Sequence, residues 1–151
     1  MHYEEVSAVC VFCEIAAGRI PAPIVFESAR FLAFLDHRPL FPGHCLLIPR
    51  DHYETLPDLP PEETGPLFIA AARLCSAIEA AMEAGGTFVA VNNRVSQSVP
   101  HLHIHIVPRR SKDGLRGFFW PRVKYQSEGE IENIRTSIQR AAERLNSPSA
   151  G

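Results

Sequence analysis

The sequence predicts an α+β fold: an antiparallel five-stranded sheet with one main helix packed on it and a second helix near the C-terminus. Three observations carry this. Five short apolar runs bounded by Pro and Gly read as strands. Two longer segments repeat their apolar residues at helical spacing. Regular helices do not separate the strands, which argues against a doubly wound parallel sheet.

The elements follow in chain order. Residues 24–27 are apolar and follow Pro21 and Pro23; residues 31–36 are aromatic and apolar, and the turn-like Ser28 to Arg30 between them suggests a hairpin. The third strand, residues 44–48, lies between Pro42, Gly43 and Pro49. Leu67, Ala71, Leu74, Ile78 and Ala81 recur at steps of four and three, one face of an amphipathic helix. Its start is placed at Pro66, because proline suits a first helical turn better than an interior. Residues 87–91 follow Gly85 and Gly86, and residues 101–107 lie between Pro100 and Pro108. Ile131, Ile134, Ile138, Ala142 and Leu145 place the second helix at about residues 130–145, with Glu, Gln and Arg on its other side.

A chain of 151 residues, 46% hydrophobic, is long enough for one domain with a real core. The expectation is a single domain, 1–151, with its core at 10–110 and a basic and aromatic segment at 110–127. Lys plus Arg is 15 against 17 for Asp plus Glu, a net charge of −2. That balance points away from nucleic-acid and membrane-surface partners. Apolar stretches such as residues 67–72 fall far short of a membrane span. The opening MHYEEVSAVC is acidic and lacks an apolar signal core, so a cytoplasmic protein is expected. Its four cysteines then read as thiols or metal ligands rather than disulfides.

The chemistry concentrates in His101, His103 and His105, which alternate with Leu102, Ile104 and Ile106. On a strand the three imidazoles share one face and the apolar residues the other. Residues i and i+4 lie about 13 Å apart along a strand, whereas zinc holds each nitrogen at about 2.0–2.1 Å. His101 and His105 therefore cannot share one ion, although His101 and His103 can. The row divides its labour, one end on a metal and the rest elsewhere. Cys10 and Cys13 form a C-x-x-C whose thiolates suit one tetrahedral zinc, and His52 and His101 are available to complete it. A redox motif is the rival reading, but the flanking pattern lacks the strand–helix context such motifs prefer. His103 and His105 remain. A neutral imidazole is a competent nucleophile toward phosphorus and leaves again readily. Attack needs one bare ring nitrogen, with the other N–H held by a fixed acceptor. A neighbouring imidazole then donates to the phosphate oxygens. That pattern predicts phosphate transfer.

In these residues the sequence resembles the histidine triad (HIT) family of nucleotide hydrolases and transferases, in its zinc-bearing bacterial-type branch. The triad spans residues 101–107, preceded by Gln97, Ser98 and Val99 and followed by Pro108 and Arg109. Upstream blocks match in order: Cys10-x-x-Cys13 with Glu14 and Ile15, Gly18 to Pro21, Phe34-Leu35-Asp36, Pro42-Gly43-His44, Leu47-Ile48-Pro49 and His52. The resemblance implies His103 as the nucleophile and His105 on the α-phosphate, with His44 supporting them from the neighbouring strand. It implies Ser98 and Gln97 on phosphate oxygens or the leaving group, and Asp36 on the ribose hydroxyls. Phe34 and Leu35 would line the base pocket, and Asn92 or Asn93 would lie near the phosphates. It further implies one structural zinc per chain on Cys10, Cys13, His52 and His101, a purine nucleotide substrate and a homodimer. One departure is clear: the loop Asn92-Asn93-Arg94-Val95-Ser96-Gln97 lacks the family's glycines.

Six of the fifteen basic residues, Arg109, Arg110, Lys112, Arg116, Arg122 and Lys124, fall beyond the triad among Phe118, Phe119, Trp120 and Tyr125. Such a segment suits a polyphosphate and a stacked base, or simply a surface loop. The expected activity is hydrolysis at the α-phosphate of dinucleoside polyphosphates, such as diadenosine tetraphosphate, whose longer anionic leaving group the basic stretch favours, or of nucleotide phosphoramidates. The alternatives are a dinucleoside polyphosphate phosphorylase, a non-catalytic zinc-stabilised nucleotide-binding adaptor, and a metalloenzyme with a histidine-held ion.

Overall fold

The computed structural model describes residues 9–116 and 122–146. The described residues fall into two compact units that divide after Asp113. Phe118, Phe119 and Trp120 of the basic and aromatic segment lie outside the described residues.

The first unit holds a five-stranded antiparallel sheet of order β1-β2-β3-β5-β4. Its strands are β1 (Ile24–Glu27), β2 (Phe31–Leu35), β3 (Cys45–Pro49), β4 (Gly86–Ala90) and β5 (Ile104–Arg109). Two helices accompany it, α1 (Val11–Ala16) and α2 (Pro61–Met82). The second unit carries α3 (Glu128–Asn146). The expected fold class is the observed one.

The central strands FLAFL and CLLIP are continuous apolar runs because both faces of the sheet are covered. On one face Phe31, Ala33, Cys45, Leu47, Ile104 and Ile106 meet Leu67, Ala71, Leu74 and Ile78 of α2. On the other, Leu32, Phe34, Leu46 and Ile48 meet Phe12 and Ile15 of α1. By length and composition α2 is long and apolar enough to cross a membrane, which the short apolar runs did not suggest. Here its apolar stripe is buried on the sheet.

Several boundaries shift by a residue, and four larger differences from the sequence expectation each have a local reason. Helix α2 starts at Pro61, five residues before Pro66. Pro61 occupies the first-turn position, and Pro66 sits inside the helix, where it lacks an N–H for the ladder. Helix α1 has no counterpart in the expected elements, because six residues are too few to show a period. The last strand begins at Ile104 rather than residue 101. Its partner β3 ends at Pro49, which has no N–H, and the chain ahead of it turns to other acceptors: Leu102 N–H donates to the Tyr53 carbonyl (2.6 Å). Helix α3 begins at Glu128 because the Ser127 hydroxyl caps it, accepting the Glu130 N–H at 3.1 Å.

Candidate active site

The short β5 puts His105 inside the sheet and His103 just before it, and both reach one cleft. His103 is 3% exposed. Its Nδ1–H donates to the His101 carbonyl at 2.7 Å. A carbonyl oxygen only accepts, so the ring proton sits on Nδ1 and Nε2 keeps its lone pair. Among the described residues no buried side-chain nitrogen lacks a partner, so this bare Nε2 is open to the cleft that His103 lines.

A second chain of bonds sets the tautomer of His105. The Leu40 N–H donates to His44 Nδ1 at 3.0 Å, which leaves the His44 proton on Nε2. That N–H lies 3.0 Å from His105 Nδ1 and donates to it. The His105 proton is thereby on Nε2, the nitrogen left to face a ligand. Burial pushes the pKa of His105 down to about 4, with His103 and His44 adding to the shift. Burial lowers that of His44 as well, against the opposing pull of Asp36, whose Oδ2 is 3.6 Å from His44 Nε2. Both rings are therefore neutral near pH 7. The triad thus presents a bare nitrogen at 103 beside an N–H donor at 105, their rings 4.9 Å apart.

The cleft measures about 280 Å³. Phe12 and Ile15 from α1 form one wall and Phe34 and Leu35 from β2 another, with Asp36, His37, Ser98, His103 and His105 as polar groups. Phe12 stands edge-on to Phe34 at 5.4 Å and to His103 at 5.2 Å. Asp36 lies where the chain leaves β2, and its Oδ1 accepts the Arg38 N–H at 2.9 Å.

The neighbouring loop is differently engaged. The Gln97 amide donates to the Glu54 carbonyl (2.6 Å) and accepts the Arg94 N–H (2.8 Å). Asn93 Oδ1 accepts the Leu56 N–H at 2.9 Å, and Asn92 donates to the Ser96 carbonyl at 3.3 Å. All three lie outside the cleft lining. Arg94 and Ser96 hold φ of 68° and 61°, the left-handed region that glycine enters freely. The loop thus keeps the turn without the glycines. Of the basic residues beyond the triad, Arg109 pairs with Asp113 (2.6 Å) and Arg110 donates to the Met82 carbonyl.

Beside the cleft, Cys10, Cys13, His52 and His101 bring four donor atoms within 4.8 Å of one another. His101 Nδ1 is 3.3 Å from Cys10 Sγ and 3.5 Å from Cys13 Sγ, and His52 Nδ1 is 3.3 Å from Cys13 Sγ. A tetrahedral zinc with the usual bond lengths separates sulfur and nitrogen ligands by about 3.6 Å, so the spacing fits. The His101 Nε2–H donates to the Pro49 carbonyl at 2.8 Å, which leaves Nδ1 as the lone-pair nitrogen aimed at the sulfurs. Burial, with Cys10 close by, pushes the Cys13 thiol up to about 11. A second cluster, Asp36, His44 and His105, also gathers three donors. It does not fit a metal: His44 Nδ1 accepts the Leu40 N–H, so the Nε2 that faces His105 carries the ring proton and has no lone pair for an ion.

Sequence reasoning missed four contributors: Phe12, Ile15, the Leu40 N–H and the Pro49 carbonyl. Phe12 sits between the two cysteines, and that placement was the available signal. The two backbone groups leave no trace in side-chain patterns.

The HIT domain model matches residues 17–112. An uncharacterized HIT-like protein of Mycobacterium tuberculosis is 39% identical over 108 residues, 70% of this chain and 75% of that one. The adenosine 5′-monophosphoramidase hnt1 of Schizosaccharomyces pombe is 33% identical over 130 residues, covering 85% and 95%. The crystal structure of a HIT family member from Bacillus subtilis superposes with a TM-score of 0.81 at 35% identity, covering 93% of this chain and 100% of that one. A Zn-bound histidine triad family protein from Mycobacterium smegmatis gives 0.68 at 34% identity, covering 89% and 96%. With the domain matched across the sheet and its row of imidazoles, the chain belongs to the HIT family.

Proposed function

We propose that the protein is a nucleotidyl hydrolase that works through a covalent nucleotidyl–His103 intermediate. The observation that carries this reading is the His103 Nδ1–H bond to the His101 carbonyl, which leaves a bare Nε2 at the cleft. In this reading the apolar walls take a purine base and the Asp36 carboxylate accepts the ribose hydroxyls. His105 Nε2–H donates to an α-phosphate oxygen and stabilises the charge that develops there. His103 Nε2 attacks the α-phosphorus, and the P–O or P–N bond breaks with its electron pair going to the leaving group, which Ser98 hydrogen-bonds and which takes up a proton from water. The resulting N-phosphoryl imidazolium is a good leaving group, so water attacks phosphorus next, releasing the nucleoside monophosphate and restoring neutral His103. Gln97, Asn92 and Asn93 act by bracing the loop that carries Ser98.

Cys10, Cys13, His52 and His101 are assigned as the ligands of one structural zinc. The donor set supports this, as does the zinc in the M. smegmatis relative. The ion's contribution is to folding. A homodimer in the cytoplasm, without nucleic acid or membrane, completes the reading.

Of the two leaving-group classes, the phosphoramidate is favoured over the dinucleoside polyphosphate. Arg109 and Arg110 are engaged with Asp113 and the Met82 carbonyl, which weakens the case for a polyphosphate cradle, and the fission-yeast relative is named for a monophosphoramidase. A phosphorylase, with phosphate as the acceptor in place of water, uses the same first step.

The test is turnover of adenosine 5′-phosphoramidate and diadenosine tetraphosphate, with and without phosphate, with the products identified. AMP release and an acid-labile protein adduct of nucleotide mass are expected. His103→Ala should lower kcat by more than about 10³ while AMP still binds. Full activity in that variant refutes the assignment, and AMP binding without turnover in the wild type supports the adaptor reading instead.

A further inference from the structure

The four-ligand cluster and the cleft share one helix. α1 is six residues long, and isolated helices of that length are unstable in water, so its position depends on what holds its ends and its apolar side. Cys10 is its N-cap and accepts the Cys13 N–H at Sγ (3.5 Å). Phe12 lies between the two cysteines and is 6% exposed. Its ring stands edge-on to Phe34, to His103 and, at 5.9 Å, to the ligand-type His101. Val11, Phe12 and Ile15 all line the cleft.

We propose that Phe12 is a positioning residue through which metal loading of the Cys10, Cys13, His52 and His101 cluster controls nucleoside affinity. The proposal rests on the reading of the cleft as a nucleoside site. Two routes lead from the cluster toward the reacting centre, and they differ in rigidity. The first runs through His101, whose Nε2–H is anchored on the Pro49 carbonyl and whose own carbonyl holds His103. Those bonds form between chain atoms whether or not a cation is bound, so the aim of His103 is independent of loading. The second runs through α1, which meets the ligand-type imidazoles through the Cys10 and Cys13 sulfurs, in contacts of 3.3–3.5 Å that a bound cation would replace with bonds. Phe12 travels with that turn, and with Ile15 it forms one wall of the cleft. Loading therefore acts on affinity and KM, and leaves kcat at saturating substrate nearly unchanged.

Two measurements test this. In the first, AMP is titrated calorimetrically into zinc-loaded and chelator-treated protein, with circular dichroism recording that the sheet persists. The expected result is a Kd about ten-fold weaker without zinc in the wild type. In zinc-loaded Phe12→Ala the affinity is weakened already, one zinc per chain is retained, and removing it changes Kd by less than about two-fold. An equal Kd with and without zinc in the wild type overturns the proposal, as does an equal zinc effect in Phe12→Ala. The second measurement uses only loaded, folded protein, so it stands even where the metal-free chain unfolds. The protein is loaded with cadmium-113 and the metal resonance is followed on saturation with AMP. A shift is expected in the wild type and none in Phe12→Ala; an unmoved resonance in the wild type, or the same shift in both, overturns the proposal. Failure of AMP to bind the loaded wild-type protein is a different outcome, and it overturns the nucleotide reading itself.

Discussion

At the scale of single residues, the chemistry rests on which ring nitrogen carries a proton, and backbone groups decide it. A carbonyl acceptor puts the His103 proton on Nδ1, and the Leu40 N–H, acting through His44, puts the His105 proton on Nε2. His44→Ala removes the second constraint. It should lower kcat about 10–100-fold, the usual scale for losing a group that orients an imidazole, with a smaller change in KM. Long-range ¹⁵N spectra should show His105 as a single Nε2–H tautomer in the wild type and a mixture in the variant. A single unchanged tautomer in the variant would mean that His44 does not set it. Burial also couples this ring to stability. His105 titrates near 4 when folded, against an ordinary value of 6.5. Between those values the unfolded chain binds more protons, so stability is full above about pH 6.5 and falls as the pH drops toward 4. The urea midpoint should decline steadily over that window, and a flat profile would contradict the burial of His105.

At the scale of elements, the entry to β3 approaches the end of α2 closely at a glycine. Gly43 holds φ of +97°, and a Cβ built there would lie 2.8 Å from Met82 Cγ at the end of α2. The residue is glycine for both reasons: left-handed backbone and close approach. Gly43→Ala should destabilise the fold by about 2 kcal/mol through strain and overpacking. It should also lower kcat, because His44 is the next residue in the chain. Equilibrium unfolding together with steady-state kinetics checks both effects, and a wild-type unfolding midpoint would show that the turn adapts. Helix α1 marks the opposite limit. It is too short to declare itself by periodicity, yet it supplies both cysteines and a wall of the cleft.

At the scale of the whole molecule, Cys10, Cys13, His52 and His101 bring the N-terminal turn, the segment after β3 and the approach to β5 into one cluster, which the proposed zinc would tie together. Zinc bound to the native state alone stabilises it by mass action. Chelation should therefore lower the melting temperature, and kcat at saturating substrate should be lost in step with unfolding rather than the moment zinc leaves. Zinc reloading should release protons from the Cys10 and Cys13 thiols, measurable as acidification of a weakly buffered solution. Immediate loss of kcat on chelation, with the fold intact, would point to a catalytic ion instead.

Much of this was legible before any coordinates. The α+β class, the strand count, the stripe of α2 and the grouping of His103 with His105 all follow from local patterns of apolar and polar residues, because burial imposes a period on each element. The sequence by itself also determined which side chains are chemically capable. Only the tertiary structure decided how they are used. It ended the strand at Ile104 because Pro49 has no N–H to continue the ladder, and it turned Gln97 onto the Glu54 carbonyl. It also chose the tautomers through carbonyls and amides remote in the chain. Those choices depend on which backbone groups remain unpaired once the sheet has formed, and no arrangement of side chains along a single chain encodes that directly.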